Sequence, residues 1–209
     1  ITDPSTNNLT AEAPANASGS EEEGGEATPA EVDESLVAAD GINVCIASEP
    51  DNIDPALNSS VDGATLILHT FAGLAKWEQE GDGSYKIVPD CAQELVEGKE
   101  NEDGTVTYTY TLLDGLKWSD GQPLTAGDFE FAWKRAADPK TASDYGYMFD
   151  QVVGYDEMTE QKETGKTNED GTPEMEYVNP DPELLAIKAV DDKTLEVTTK
   201  QRVPYWNEL

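Results

Sequence analysis

Between the turn signals Asp103-Gly104 and Asp114-Gly115, Val106, Tyr108, Tyr110 and Leu112 alternate strictly with Thr105, Thr107, Thr109 and Thr111. A period of two sends successive side chains to opposite faces, so the stretch reads as a strand with one apolar and one hydroxylated face. Such a strand needs neighbours along its edges and a cover over its apolar face, and the rest of the chain must supply them. A second alternating stretch, Lys193 to Thr199 with Leu195 and Val197 inward, precedes Pro204, Tyr205 and Trp206.

A helix is specified between these strands. After Trp118 and the turn at Asp120-Gly121, Thr125-Ala126-Gly127-Asp128 has the form of a capping box. Phe129, Trp133 and Ala136 then share one face, and Pro139 marks the stop. Earlier in the chain, Val61, Ala64, Ile67, Leu68, Phe71 and Leu74 fall at helical spacing behind a loop broken by Pro50 and Asp54-Pro55. Before that loop, Ile42, Val44, Cys45, Ile46 and Ala47 form a near-continuous apolar run, which predicts a strand covered on both faces.

Two segments lack apolar periodicity. Residues 1–40 are Ala, Pro, Ser, Gly, Asn and acid around Glu21-Glu22-Glu23-Gly24-Gly25-Glu26, a composition that cannot offset its own ordering entropy, and they read as a disordered acidic tether. Residues 161–182 are again polar and rich in Gly, Pro, Asn and Glu, and read as a long surface insertion. The chain stops at Leu209 with no capping or polar finish, which reads as a truncation.

Composition narrows the function classes. The chain carries 13 Lys and Arg against 44 Asp and Glu, a net charge of −31 in 209 residues, and no Lys or Arg precedes Lys76. Nucleic acid and anionic membrane surfaces are therefore repelled. No stretch reaches the roughly 18 apolar residues of a membrane span, and Ile1 opens into polar sequence, so an export signal, if there was one, has been removed. Cys45 and Cys91 lack the close spacing of a zinc or redox motif, and either a disulfide or buried thiols would suit them.

His69 sits within the apolar helical stretch and reads as a satisfied helix-face residue rather than a metal ligand or base. Aligning Gly104 or Gly171 with the glycine of a calcium loop puts Lys99 or Lys166 at the first ligand position, and the calcium reading fails. Neither a metal nor a cofactor is expected. With acids this frequent, a carboxylate pair of the kind glycosidases use arises by chance and carries no signal. The sequons at Asn8, Asn16 and Asn58 are read as incidental.

The order of the local patterns resembles the family 5 (oligopeptide, dipeptide and nickel type) extracytoplasmic solute-binding proteins of ABC transporters. The resemblance rests on Leu116 to Phe129, followed by Trp133-Lys134-Arg135 and Asp138-Pro139. Around this string stand Glu49-Pro50, Ile53-Asp54-Pro55, Phe71 with Gly73-Leu74, Val88-Pro89, Tyr145, Lys188 to Val197 and Val203-Pro204-Tyr205.

The resemblance implies an α/β, periplasmic-binding-protein-like fold of the type II, large two-lobed class, closing on its ligand like a hinge. This chain would be its N-terminal fragment. Residues 41–75 would start lobe I, 76–184 would form the additional small α/β subdomain, and 185–209 would return to lobe I. The implied function is capture of oligopeptides or similar small solutes for a membrane permease, without catalysis, by a protein lipid-anchored to the outer face of the cytoplasmic membrane. Ligand-facing residues by resemblance are Asn58, Ser59, Ser60, Val61 and Asp62 in the loop before the first helix, together with Tyr145. Trp118 and Trp133 are read as large apolar anchors. The rival readings are a surface adhesion module and, more remotely, a carboxylate-dependent glycoside hydrolase.

Overall fold

The computed structural model describes residues 44–208. The chain divides into Ile1–Cys45 and Ile46–Leu209, and the second unit holds all the elements below. In chain order these are α1 (Val61–Thr70), β1 (Ala75–Gln79), β2 (Tyr85–Pro89), β3 (Lys99–Glu100), β4 (Val106–Thr111), α2 (Ala126–Ala137), α3 (Tyr155–Thr159), β5 (Gln161–Thr167), β6 (Pro173–Tyr177), β7 (Ile187–Ala189) and β8 (Thr194–Thr199). The expected tether over residues 1–40 lies outside the described residues.

The alternating stretch is β4, and it is central. It pairs antiparallel with β3 on one side and β8 on the other, in a four-stranded sheet of order β3-β4-β8-β7. The register sets Tyr108 opposite Val197 and Tyr110 opposite Leu195, so the apolar positions of both strands meet on one face. Val106, Tyr108, Tyr110, Leu112, Ile187, Leu195 and Val197 are all buried there, while Thr109 and Thr111 on the other face are exposed.

Helix α2 contributes to the cover of that face with Ala126, Phe129 and Ala137. Its start is as the sequence predicts: the Asp128 carboxylate accepts from the Thr125 backbone N–H at 2.7 Å and from its hydroxyl at 2.9 Å. Trp206 closes the core from the carboxy-terminal side, its ring 5.3 Å from Tyr108 and 6.1 Å from Trp133. The Tyr108 hydroxyl donates to the Val203 carbonyl at 3.2 Å and accepts from the Val203 N–H at 3.0 Å. A single buried phenol thus satisfies both backbone groups of a residue that no strand pairs.

One turn is used four times. It occurs at Glu80-Gly81-Asp82-Gly83-Ser84, Asn101-Glu102-Asp103-Gly104-Thr105, Trp118-Ser119-Asp120-Gly121-Gln122 and Asn168-Glu169-Asp170-Gly171-Thr172. The first N–H donates to the fifth carbonyl at 2.8–2.9 Å, and the glycine N–H returns to the first carbonyl at 2.9–3.1 Å. The aspartate accepts the fifth N–H at 2.9–3.0 Å. The glycines sit at φ of 85–88°, a conformation in which a side chain is strained. The aspartate is an acceptor already placed for the chain's return.

Three expectations need correction. Residues 44–47 form no strand, and Val44 is 70% exposed. An apolar run becomes a strand only where a neighbouring strand takes up its backbone. The 161–182 segment is at the surface as expected, and β5 and β6 make it an antiparallel hairpin. β6 alternates Pro173, Met175 and Tyr177 with Glu174 and Glu176, but β5 sets Gln161 and Glu163 opposite Tyr177 and Met175, so the pattern is confined to one short strand.

Helix α1 forms where predicted, but Val61 (82% exposed) and Leu68 are open, and Gly63 is its one buried residue. Trp118 is 40% exposed at a hairpin turn. Of the two tryptophans, Trp133 is the anchor, against Phe149 and Trp206. Among the described residues no helix is long and apolar enough to cross a membrane, and no group of three His, Cys, Asp or Glu is arranged to hold a metal ion.

Candidate functional site

The loop from Asn52 to Ser60 builds its own shape from side chain to backbone. Asn52 Oδ1 accepts the Asp54 N–H at 2.8 Å, Asp54 Oδ1 accepts the Ala56 N–H at 2.9 Å, and the Asp54 carbonyl takes the N–H groups of Leu57 and Asn58. Asn58 continues the pattern. Its Oδ1 accepts from the Ser60 N–H (3.3 Å) and hydroxyl (3.1 Å), and its Nδ2 donates to the Ser60 carbonyl (3.0 Å). Ser60, in extended backbone, then caps α1 by accepting the Gly63 N–H at 3.2 Å.

Five of the six residues expected to face ligand are therefore one continuous surface. Asn58 and Ser60 are half-buried and hold each other, Ser59 and Val61 are exposed, and Asp62 accepts from the Ser48 hydroxyl. The sixth, Tyr145, lies on a different segment, at the start of a 3-10 turn over Gly146–Phe149. It is half exposed, and its ring centroid is 6.3 Å from that of Tyr147. Tyr147 was not singled out by the sequence reading: Tyr145 to Phe149 is too short a stretch for periodicity to mark one of its side chains.

The two segments share an attachment. A Cβ on Gly146 would stand 3.2 Å from the Ala136 carbonyl, so the Tyr145 turn rides directly on the last turn of α2. The Asn52–Ser60 loop is fastened to the same turn by Arg135, which makes a two-pronged ion pair with Asp54 at 2.8 and 2.6 Å. The guanidinium holds the Asp54 carboxyl below its usual range against the opposing effect of burial. Both partners belong to motifs that the sequence singles out, but their separation of 81 positions gives no hint that they meet.

On the outer side of α2 lies an open depression of about 390 Å³ bordered by Glu130, Phe131, Lys134, Arg135 and Glu183. Its lysine and glutamates are spent on one another, and its arginine on Asp54. Lys134, only 8% exposed, donates to Glu130 and to Glu183 at 2.7 Å each, and Glu130 also accepts the Ala189 N–H at 2.8 Å. Burial pushes the Glu130 pKa up more strongly than any other single influence, yet the bonds from Lys134 and Ala189 together carry it below its usual value.

A carboxyl depressed in the folded state stabilises the fold above its ordinary pKa, here 4.5, and loses that contribution as pH falls through the lowered value. Glu130→Gln is expected to cost about 1–2 kcal/mol at pH 7. The difference from the parent should shrink steadily below pH 4.5, as urea unfolding across that range will show. Cys91 is buried, and burial raises its thiol pKa, which keeps it protonated and unreactive at neutral pH.

The described residues thus form an α/β scaffold in which an exposed polar loop and an aromatic pair hang from one helix end. The profile of the bacterial extracellular solute-binding proteins, family 5 Middle, matches residues 86–209, and the chain belongs to this family. The Bacillus subtilis oligopeptide-binding protein OppA is 37% identical over 169 residues, 80% of this chain and 26% of its own length. The Escherichia coli probable deoxycholate-binding periplasmic protein YgiS is 34% identical over 163 residues, 78% of this chain and 26% of its own.

Among solved structures, Haemophilus influenzae OppA in complex with the peptide RPPGFSPFR superposes with a TM-score of 0.54 at 29% identity, covering 76% of this chain and 26% of that one. The fold is thus periplasmic-binding-protein-like, as the sequence implied. The chain spans about a quarter of the length of these relatives.

Proposed function

We propose that this chain is part of the substrate-binding component of an ABC importer, capturing oligopeptides outside the cytoplasm and delivering them to a membrane permease. The observation that carries the reading is membership of the solute-binding family together with a pre-shaped loop, Asn58 to Asp62, fixed to the same helix end as Tyr145. The extended backbone at Ser60 beside exposed Ser59 and Val61 suits a peptide laid alongside as an added strand. Backbone pairing of that kind gives affinity without reading side chains. Tyr145 supplies an apolar face for one of them.

In this reading residues 41–75 and 185–209 belong to one lobe and 76–184 to a small subdomain. The acidic amino-terminal stretch is a tether to a lipid anchor on the outer face of the membrane. Ligand shifts an open–closed equilibrium by touching both lobes, and no covalent step is involved.

Calorimetric titration of the intact gene product with RPPGFSPFR and, separately, with deoxycholate tests the reading. Micromolar or tighter peptide binding with no response to deoxycholate is expected. Response to the bile acid alone would replace the peptide by a sterol-like ligand on the same scaffold. This chain by itself is expected to hold the peptide more weakly than the intact product, since it supplies part of the contacts.

A further inference from the structure

We propose that the Asp54–Arg135 ion pair is a positioning device for ligand binding: it sets where the Asn58–Asp62 loop stands relative to Tyr145. The proposal rests on the peptide-capture reading above and adds to it two residues that do not themselves face ligand. Three observations carry it.

The pair is two-pronged, and a planar fork fixes orientation as well as distance, which a single contact does not. The Asp54 carboxylate that meets Arg135 also takes the Ala56 N–H, and the Asp54 carbonyl takes the N–H groups of Leu57 and Asn58. A displacement of the carboxylate is therefore handed directly to the loop. On the other side, Arg135 lies one residue before Ala136, whose carbonyl stands over Gly146 next to Tyr145. Two residues of α2 thus carry the two halves of the candidate site.

Little else competes for this role. α1 leaves Val61 and Leu68 exposed and fully buries only Gly63, and the backbone bonds beyond its end, from Asp90, Cys91 and Ala92 to Gly73 and Leu74, hold the far end of the segment rather than the loop. Burial of both partners is partial, with side chains about a third exposed, so the pair matters more for geometry than for global stability.

The test compares Arg135→Gln and Arg135→Lys with the parent in the intact gene product. Three quantities are read: affinity for RPPGFSPFR, amide exchange at residues 54–63, and amide exchange in β4. Arg135→Gln is expected to weaken peptide affinity by about tenfold and to speed exchange in the loop by a similar factor, leaving β4 unchanged. Arg135→Lys, which keeps the charge but not the fork, should fall between the two.

Parent-like affinity and loop exchange in Arg135→Gln overturn the proposal. Equal loss of protection in the loop and in β4 also overturns it, by showing a merely structural role. A parent protein that ignores the peptide sinks the capture reading itself, and the positioning role with it. That outcome is distinguishable because it appears before any substitution is made.

Discussion

Replacing Leu195 by alanine is expected to lower the unfolding free energy by about 3 kcal/mol. Leu195 is fully buried in β8, the strand that lies between β4 and β7, and its cross-strand neighbours are Tyr110 and Ala189. Removing the isobutyl group forfeits its transfer free energy and leaves a hole beneath a four-stranded sheet. The sheet cannot collapse into that hole without breaking register on both sides.

Two controls separate packing from strand propensity. Leu195→Met conserves volume and should cost under about 1.5 kcal/mol. Thr109→Ala lies on the exposed face of β4 and should fall within about 0.5 kcal/mol of the parent. Urea unfolding of the three variants measures all of these. A loss below about 1 kcal/mol for Leu195→Ala would show that the core relaxes around the gap, contrary to the two-sided pairing of β8.

The same strands explain how much of the fold could be read in advance. β4, β8 and α2 were legible because each carries its periodicity and boundary signals within its own residues: alternation over Val106–Thr111 and Thr194–Thr199, and the Thr125–Asp128 cap ahead of Phe129. The family signature around Trp118 to Arg135 was legible for the same reason.

What depends on distant partners was not. Ile42 to Ala47 has the composition of a buried strand, but composition cannot say whether neighbours flank it. In the β5–β6 hairpin β5 carries no apolar alternation, and that of β6 is confined to Pro173, Met175 and Tyr177. The other signal was the turn Asn168 to Thr172, which repeats Asn101 to Thr105 residue for residue and bends in the same way. The candidate loop was placed by resemblance, while the pairing of Asp54 with Arg135 appears only in three dimensions.

Gly63→Ala tests that loop from the helix side, and two opposing effects must be weighed. Alanine in place of glycine favours a helix interior by about 1 kcal/mol, so with nothing nearby the change would stabilise α1. Here the new Cβ would stand 2.0 Å from Asn58 Oδ1 and 2.4 Å from the Asn52 carbonyl oxygen, where real Cβ contacts essentially never fall below 3.0 Å.

The Asn58 side chain can rotate away, giving up its three bonds to Ser60. The Asn52 carbonyl is backbone and can yield only if the whole loop shifts. Steric repulsion at that distance exceeds the helix gain, so the loop moves, and the residues proposed to meet ligand move with it.

Peptide affinity is therefore expected to fall by at least about tenfold while the melting temperature changes by only a few degrees, because Leu195 and the sheet are untouched. Adding Asn58→Ala removes the side-chain clash but not the backbone one and should restore little. Calorimetric titration with RPPGFSPFR and thermal unfolding of both variants decide the matter. Undiminished affinity in Gly63→Ala would mean that the loop before α1 takes no part in holding the ligand.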